Sequence, residues 1–115
     1  MKAMLIAAAS LLVVSAAAAV PIEPQPRGVE ADAPIIVRFD THKMGIDHRT
    51  YEKVERYVTA SSLFERATSH IWGLEGEVDL ALHPKLGKAD EAIAALKAMI
   101  PPDNGIYWTT VTDRR

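Results

Sequence analysis

Two runs with strand periodicity, joined by a glycine-bounded turn, constrain the fold more than any other feature of this sequence. Leu63–Trp72 is the first run, Glu77–His83 is the second, and Gly73-Leu74-Glu75-Gly76 separates them. The second run alternates apolar and polar residues, as a strand with one buried face does. A two-residue turn at Leu74 and Glu75 then closes an antiparallel hairpin.

The register of this hairpin decides which side chains share each face, because a slip of one residue would exchange the faces. Pairing back from the turn places Ile71 opposite Val78, Ser69 opposite Leu80 and Ala67 opposite Leu82 on the core side. On the other side it places His70 opposite Asp79. That second face is predicted to be open and polar, and it carries Arg66, His70, Trp72, Glu77, Asp79 and His83.

Two further strands and two helices complete the predicted elements. Ile35–Asp40 and Ile106–Thr112 are rich in β-branched and aromatic residues, which favours strands. Asp47 is a predicted N-cap for a helix that runs to about Ser61. A second helix is expected to begin near Asp90. Its apolar stripe is Ala89, Ile93, Leu96 and Ile100.

The resulting order is strand, helix, strand, strand, helix, strand. It predicts an α+β domain with the ferredoxin-like split β-α-β-β-α-β arrangement, a four-stranded antiparallel sheet with two helices on one face. The main alternative continues the first helix through residues 65–72, where few residues are β-branched, and gives β-α-β-α-β. Tyr107 and Trp108 are adjacent on the last strand and point to opposite faces. We expect Trp108 to pack on the helices; an outward Trp108 would instead join Trp72 in an aromatic patch.

The chain begins with a predicted secretory signal peptide, residues 1–19. Lys2 is followed by an apolar run and by small residues with an A-x-A pattern, which predicts cleavage after Ala19 and export to the periplasm or beyond the cell. Residues 20–34 contain four prolines and are predicted to form a flexible leader. The small folded α+β domain is expected to cover residues 35–113, and its oligomeric state is left open.

Composition excludes several classes of function. The sequence has no cysteine, so it has no thiol nucleophile and no cysteine-based zinc or iron–sulfur site. The net charge is −2 with no basic run, which favours neither nucleic acid nor an anionic membrane surface. No later segment is apolar enough to span a membrane. No nucleotide-binding or nucleophile-elbow motif is present, and no cofactor is predicted.

The favoured function is therefore a non-catalytic domain that binds a protein or peptide through its open sheet face or a sheet edge. Trp72 is the least expected residue on a solvated face, and exposed tryptophan is common at interfaces. One alternative is a His-based metal site, although metal-ligand spacings such as H-x-x-x-H are absent. Another is a small hydrolase or oxygenase in which Asp79 orients His70 as a base.

Overall fold

The computed structural model describes residues 20–115 as an α+β domain of two helices and one mixed five-stranded sheet. The signal peptide predicted for residues 1–19 lies outside the described residues. In chain order the elements are β1 (Ile22–Pro24), β2 (Ile35–Thr41), α1 (His48–Ala60), β3 (Phe64–Ile71), β4 (Val78–Pro84), α2 (Ala89–Met99) and β5 (Tyr107–Asp113).

The sheet has the strand order β1-β3-β4-β2-β5. The four strands expected from the sequence pair antiparallel, whereas β1 adds a fifth strand that pairs parallel to β3. The prediction of a purely antiparallel four-stranded sheet was therefore wrong in strand number and at one edge. The additional strand comes from the leader, whose prolines had been taken as evidence against regular structure.

The hairpin register derived from the turn is confirmed. Ile71 pairs with Val78 and His70 pairs with Asp79, as predicted. The expected core position of Ile71 was wrong, since this last residue of β3 is 48% exposed. The alternative that continued α1 into residues 65–72 is wrong. Helix α1 stops at Ala60, and Ser62 adopts a φ of 60°, a left-handed conformation that ends a helix.

Both helices pack on the same face of the sheet through apolar stripes. Asp47 caps α1, since its carboxylate accepts a hydrogen bond from the Thr50 backbone nitrogen at 3.2 Å. Val54 and Val58 of α1 are completely buried. They join one hydrophobic cluster that also contains the core-facing residues of the sheet and of α2: Ile35, Val37, Phe39, Ala67, Leu80, Leu82, Ala92, Ile93 and Leu96.

The leader is part of the folded domain rather than a flexible tether. Its first backbone nitrogen, at Val20, donates to the carbonyl of Thr59 at the end of α1, and β1 follows two residues later. Proline is compatible with a short strand at a sheet edge, where one side of the backbone needs no partner. Ordered contacts of the described chain therefore extend upstream of Ile35, where the sequence predicts the start of the domain.

After β1 the leader crosses the face of the sheet that the helices leave uncovered. Ala31 and Ala33 pack there on Ile36 of β2 and Ala81 of β4 in a second, smaller apolar cluster. The chain end holds the crossing in place, because the Arg114 backbone nitrogen donates to the carbonyl of Pro34 at 2.7 Å. Half of the face expected to be open is thus covered by the chain itself.

Candidate functional site

The uncovered half of this face forms a groove of about 750 Å³, which we call the open-face groove. The leader forms one side and β5 the other, while β2, β3 and β4 supply the floor between them. Its lining residues are Arg27, Gly28, Val29, Glu30, Ala31, Ile36, Arg38, His70, Ile71, Trp72, Asp79, Trp108, Thr110, Thr112 and Arg114.

A three-residue cluster of Arg38, Asp79 and Trp72 lies on the groove floor. Arg38 and Asp79 are register partners on β2 and β4, and two hydrogen bonds of 2.9 and 2.8 Å join the guanidinium to the carboxylate. Asp79 Oδ1 also accepts a hydrogen bond from Trp72 Nε1 at 3.0 Å. The carboxylate is buried, and these three donors satisfy it.

Arg38 is held from two sides and still faces solvent. Its guanidinium carbon lies 4.7 Å from the centre of the Trp72 ring, within the range of a cation–π contact. The hydrogen bonds to Asp79 raise the pKa of the guanidinium, so Arg38 stays charged. Half of its side chain remains exposed, which leaves a fixed cation accessible from the groove.

His70 connects the groove floor to the leader. Its Nδ1 lies 2.9 Å from the carbonyl oxygen of Val29, and its Nε2 lies 2.7 Å from Thr68 Oγ1. A carbonyl oxygen only accepts, so Nδ1 carries the proton and donates to Val29, while Nε2 forms the bond to the Thr68 hydroxyl. Both ring nitrogens are engaged, and the carboxylate of Asp79 bonds to Arg38 and Trp72 instead. The geometry therefore gives no support to the hypothesis of a base made by His70 and Asp79.

Trp108 lies on the groove side of β5, opposite Asp40 of β2. The expectation that it packs on the helices was wrong; Tyr107 takes the helix side instead. The alternation of β5 carried a signal for this, because Val111 has the parity of Tyr107 and packs against the main core cluster. The Trp108 ring stacks on His42 with centroids 5.9 Å apart and planes at 1°. Trp72 and Trp108 line the same groove, with 41% and 46% of their surfaces exposed.

The six residues predicted for the open face divide into two groups. His70, Trp72 and Asp79 line the groove, although His70 and Asp79 are buried. The other three lie outside it. Arg66 bonds to His83 at 2.9 Å further along the hairpin, and the Glu77 carboxylate accepts from the Glu75 backbone nitrogen at the turn.

Sequence reasoning missed the contributions of β2 and of the chain ends. Arg38 is not among the residues predicted for the open face, because the pairing of β2 with β4 could not be read from local pattern. Arg27 and Arg114 lie in segments expected to be irregular. In the structure Arg27 donates to the carbonyl of Gly73 and Arg114 donates to that of Ala31.

Within residues 20–115, no group of three His, Asp or Glu side chains is arranged to hold a metal ion. The metal alternative therefore gains no support from the part of the chain that the structure describes. In the same range, no helix is both long enough and apolar enough to cross a membrane.

Comparison with known proteins gave no match: no protein-family model, no curated protein and no solved structure matches this chain. The function is therefore inferred from the geometry of the groove.

Proposed function

We propose that this protein is an exported, non-catalytic binding domain that holds a segment of a protein or peptide in the open-face groove. Its fold is a ferredoxin-like β-α-β-β-α-β unit with β1 added at one edge. The sheet order β5-β2-β4-β3 and the two helices on a single face support that description. Export rests on the sequence of residues 1–19.

The observation that carries the proposal is the pair of half-exposed tryptophans beside a fixed arginine. Tryptophan and arginine are the residue types that most often dominate binding energy at interfaces. Their exposure is not explained by folding alone, since Trp72 and Trp108 each leave more than a third of their surface in solvent. Exposed Val29 and Ile71 also line the groove, so its apolar area is larger than that of the two rings.

The shape of the groove suits an extended segment. Trp108, Thr110, Thr112 and Arg114 line its β5 side, and the first and last are six residues apart. At about 3.3 Å per residue in a strand, they span roughly 20 Å. This length matches about six residues of extended polypeptide.

A random heptapeptide display library, selected on the purified protein, tests the proposal. Enriched peptides should bind in a fluorescence anisotropy titration, and Trp72→Ala or Trp108→Ala should weaken that binding at least tenfold. Leu86→Ala is the matched control, because Leu86 is fully exposed and lies outside the groove. Failure to enrich any peptide, or equal binding to all variants, would overturn the proposal.

Export is tested separately. Expression of the full chain with its own N-terminus, followed by cell fractionation and N-terminal sequencing, should recover a product outside the cytoplasm that begins close to Val20. Recovery of an uncleaved cytoplasmic protein that begins at Met1 would contradict it.

A further inference from the structure

The groove offers one accessible guanidinium whose position is fixed before any ligand arrives. Arg38 uses Nε and Nη2 to bind Asp79, and no hydrogen bond from Nη1 is formed within residues 20–115. Because Asp79 and the Trp72 ring already hold the side chain, little rotamer entropy remains to be lost on binding. A planar guanidinium edge held this way is suited to a carboxylate.

Charge is unevenly distributed between the groove and the whole chain. Three arginines line the groove, at positions 27, 38 and 114, against two acidic residues, Glu30 and Asp79. Asp79 is buried and its carboxylate oxygens already accept hydrogen bonds, so it is not available to accept one from a ligand. The five charged lining residues give the groove a net charge of +1, against −2 for the chain as a whole, so the groove is a weakly cationic patch on an acidic protein. Such a patch favours an anionic partner and steers its approach.

We infer that the bound segment is an acidic peptide, and that a carboxylate side chain of the segment is recognised by the free edge of Arg38. This inference rests on the proposed function and specifies the chemistry of the partner. Arg27 and Arg114 donate to backbone carbonyls. They add positive potential to the groove but do not provide a second guanidinium for bidentate binding.

Apolar residues are also expected near the carboxylate of the bound segment. The Arg38 guanidinium bonds to Asp79 of β4 and lies over the Trp72 ring, while Trp108 lies on β5, on the other side of β2. A segment that places a carboxylate at Arg38 can extend apolar side chains toward Trp72 or Trp108. The recognised pattern is an acidic residue with a large apolar or aromatic residue nearby in the segment.

The display selection provides the test. Enriched heptapeptides should carry Asp or Glu together with an aromatic or large apolar residue. For a labelled enriched peptide, Glu→Gln or Asp→Asn within the peptide should weaken anisotropy-detected binding to the wild-type protein at least tenfold. Binding should also weaken as NaCl is raised. Because this comparison changes only the ligand, it does not depend on the stability of any protein variant.

On the protein side, Arg38→Met should bind the acidic peptide and its amide analogue with equal, weak affinity. Arg66→Met is the matched control; Arg66 lies on the same hairpin face outside the groove and should leave the tenfold preference intact. Enriched peptides without an acidic residue, or an amide analogue that binds equally well, would overturn this inference and leave the proposed function standing. Absence of any enriched peptide would overturn both.

Discussion

The Nδ1 atom of His70 lies 2.9 Å from the carbonyl oxygen of Val29, a residue 41 positions earlier in the chain. This contact joins the end of β3 to the leader where the leader crosses the sheet. The leader, in turn, forms one side of the open-face groove. The stability of the leader and the shape of the groove therefore depend on the same few contacts.

Removal of the leader should destabilise the domain. A protein that starts at Pro34 loses β1, the contact of Val20 with α1, and the packing of Ala31 and Ala33. We expect the free energy of unfolding to fall by at least ~2 kcal/mol and the Tm by ~10 °C or more, measured by circular dichroism against a protein that starts at Val20. Equal stability of the two proteins would show that the leader contributes nothing to the fold.

Replacement of His70 should loosen the leader. His70→Leu keeps much of the buried volume but leaves the carbonyl of Val29 without its donor, which costs about 1–3 kcal/mol. Hydrogen exchange should show lower protection of the Gln25 amide, which bonds to Ser69 in the same crossing. His83→Leu is the control, since His83 bonds only to Arg66 among the described residues and does not touch the leader. Similar protection in both variants would contradict a specific role for His70.

Neutralisation of Asp79 should disturb both of its partners. In Asp79→Asn an amide nitrogen replaces one of the two buried carboxylate oxygens. Arg38 and Trp72 then donate toward a side chain that has lost one acceptor. We expect a loss of about 1–3 kcal/mol in the free energy of unfolding, together with a change in tryptophan fluorescence. Asp32→Asn is the comparison, because Asp32 is exposed. No difference between the two variants would mean that the cluster is not held by the carboxylate.

The contact between Asp113 and Arg115 should stabilise the folded state by an amount that depends on pH. Hydrogen bonds from Arg115 lower the pKa of Asp113 from 3.8 to about 2. A lowered pKa in the folded state stabilises the protein above the unfolded value, and this contribution is lost as the pH falls toward about 2. In urea titrations, the stability lost in Asp113→Asn should therefore be constant above pH ~5 and shrink below ~4. The same substitution made in Arg115→Gln should show a smaller pH-dependent loss, because the backbone nitrogen of residue 115 still donates to Asp113.

The left-handed residue at the end of α1 offers a stabilising substitution. Ser62 has a φ of 60°. This left-handed conformation is unfavourable for a residue with a Cβ atom but not for glycine. Ser62→Gly should raise the free energy of unfolding by about 0.5–1 kcal/mol in a denaturant titration. Ser61→Gly should not stabilise, because Ser61 is in the right-handed helical region with a φ of −78°. Stabilisation by both, or by neither, would count against this explanation.

Local sequence patterns predicted the hairpin, its register and the cap at Asp47, because each depends on residues close together in the chain. They did not predict the place of the leader, since proline-rich composition disfavours regular structure unless a sheet edge happens to accept it. The side of Trp108 was predicted wrongly, although Val111, which alternates with it along β5, packs against the core and indicates the correct face. The pairing of Arg38 with Asp79 joins residues 41 positions apart, and only the completed sheet defines it.

The contact between Arg114 and Ala31 spans 83 residues, almost the full described length. The leader is synthesised before the rest of the described domain, yet Arg114, which follows β5, is needed to fix its crossing. Contacts this distant in sequence form slowly, because the intervening chain must first be ordered. The groove should therefore be the last part of the molecule to assemble, and an incomplete chain could not present it.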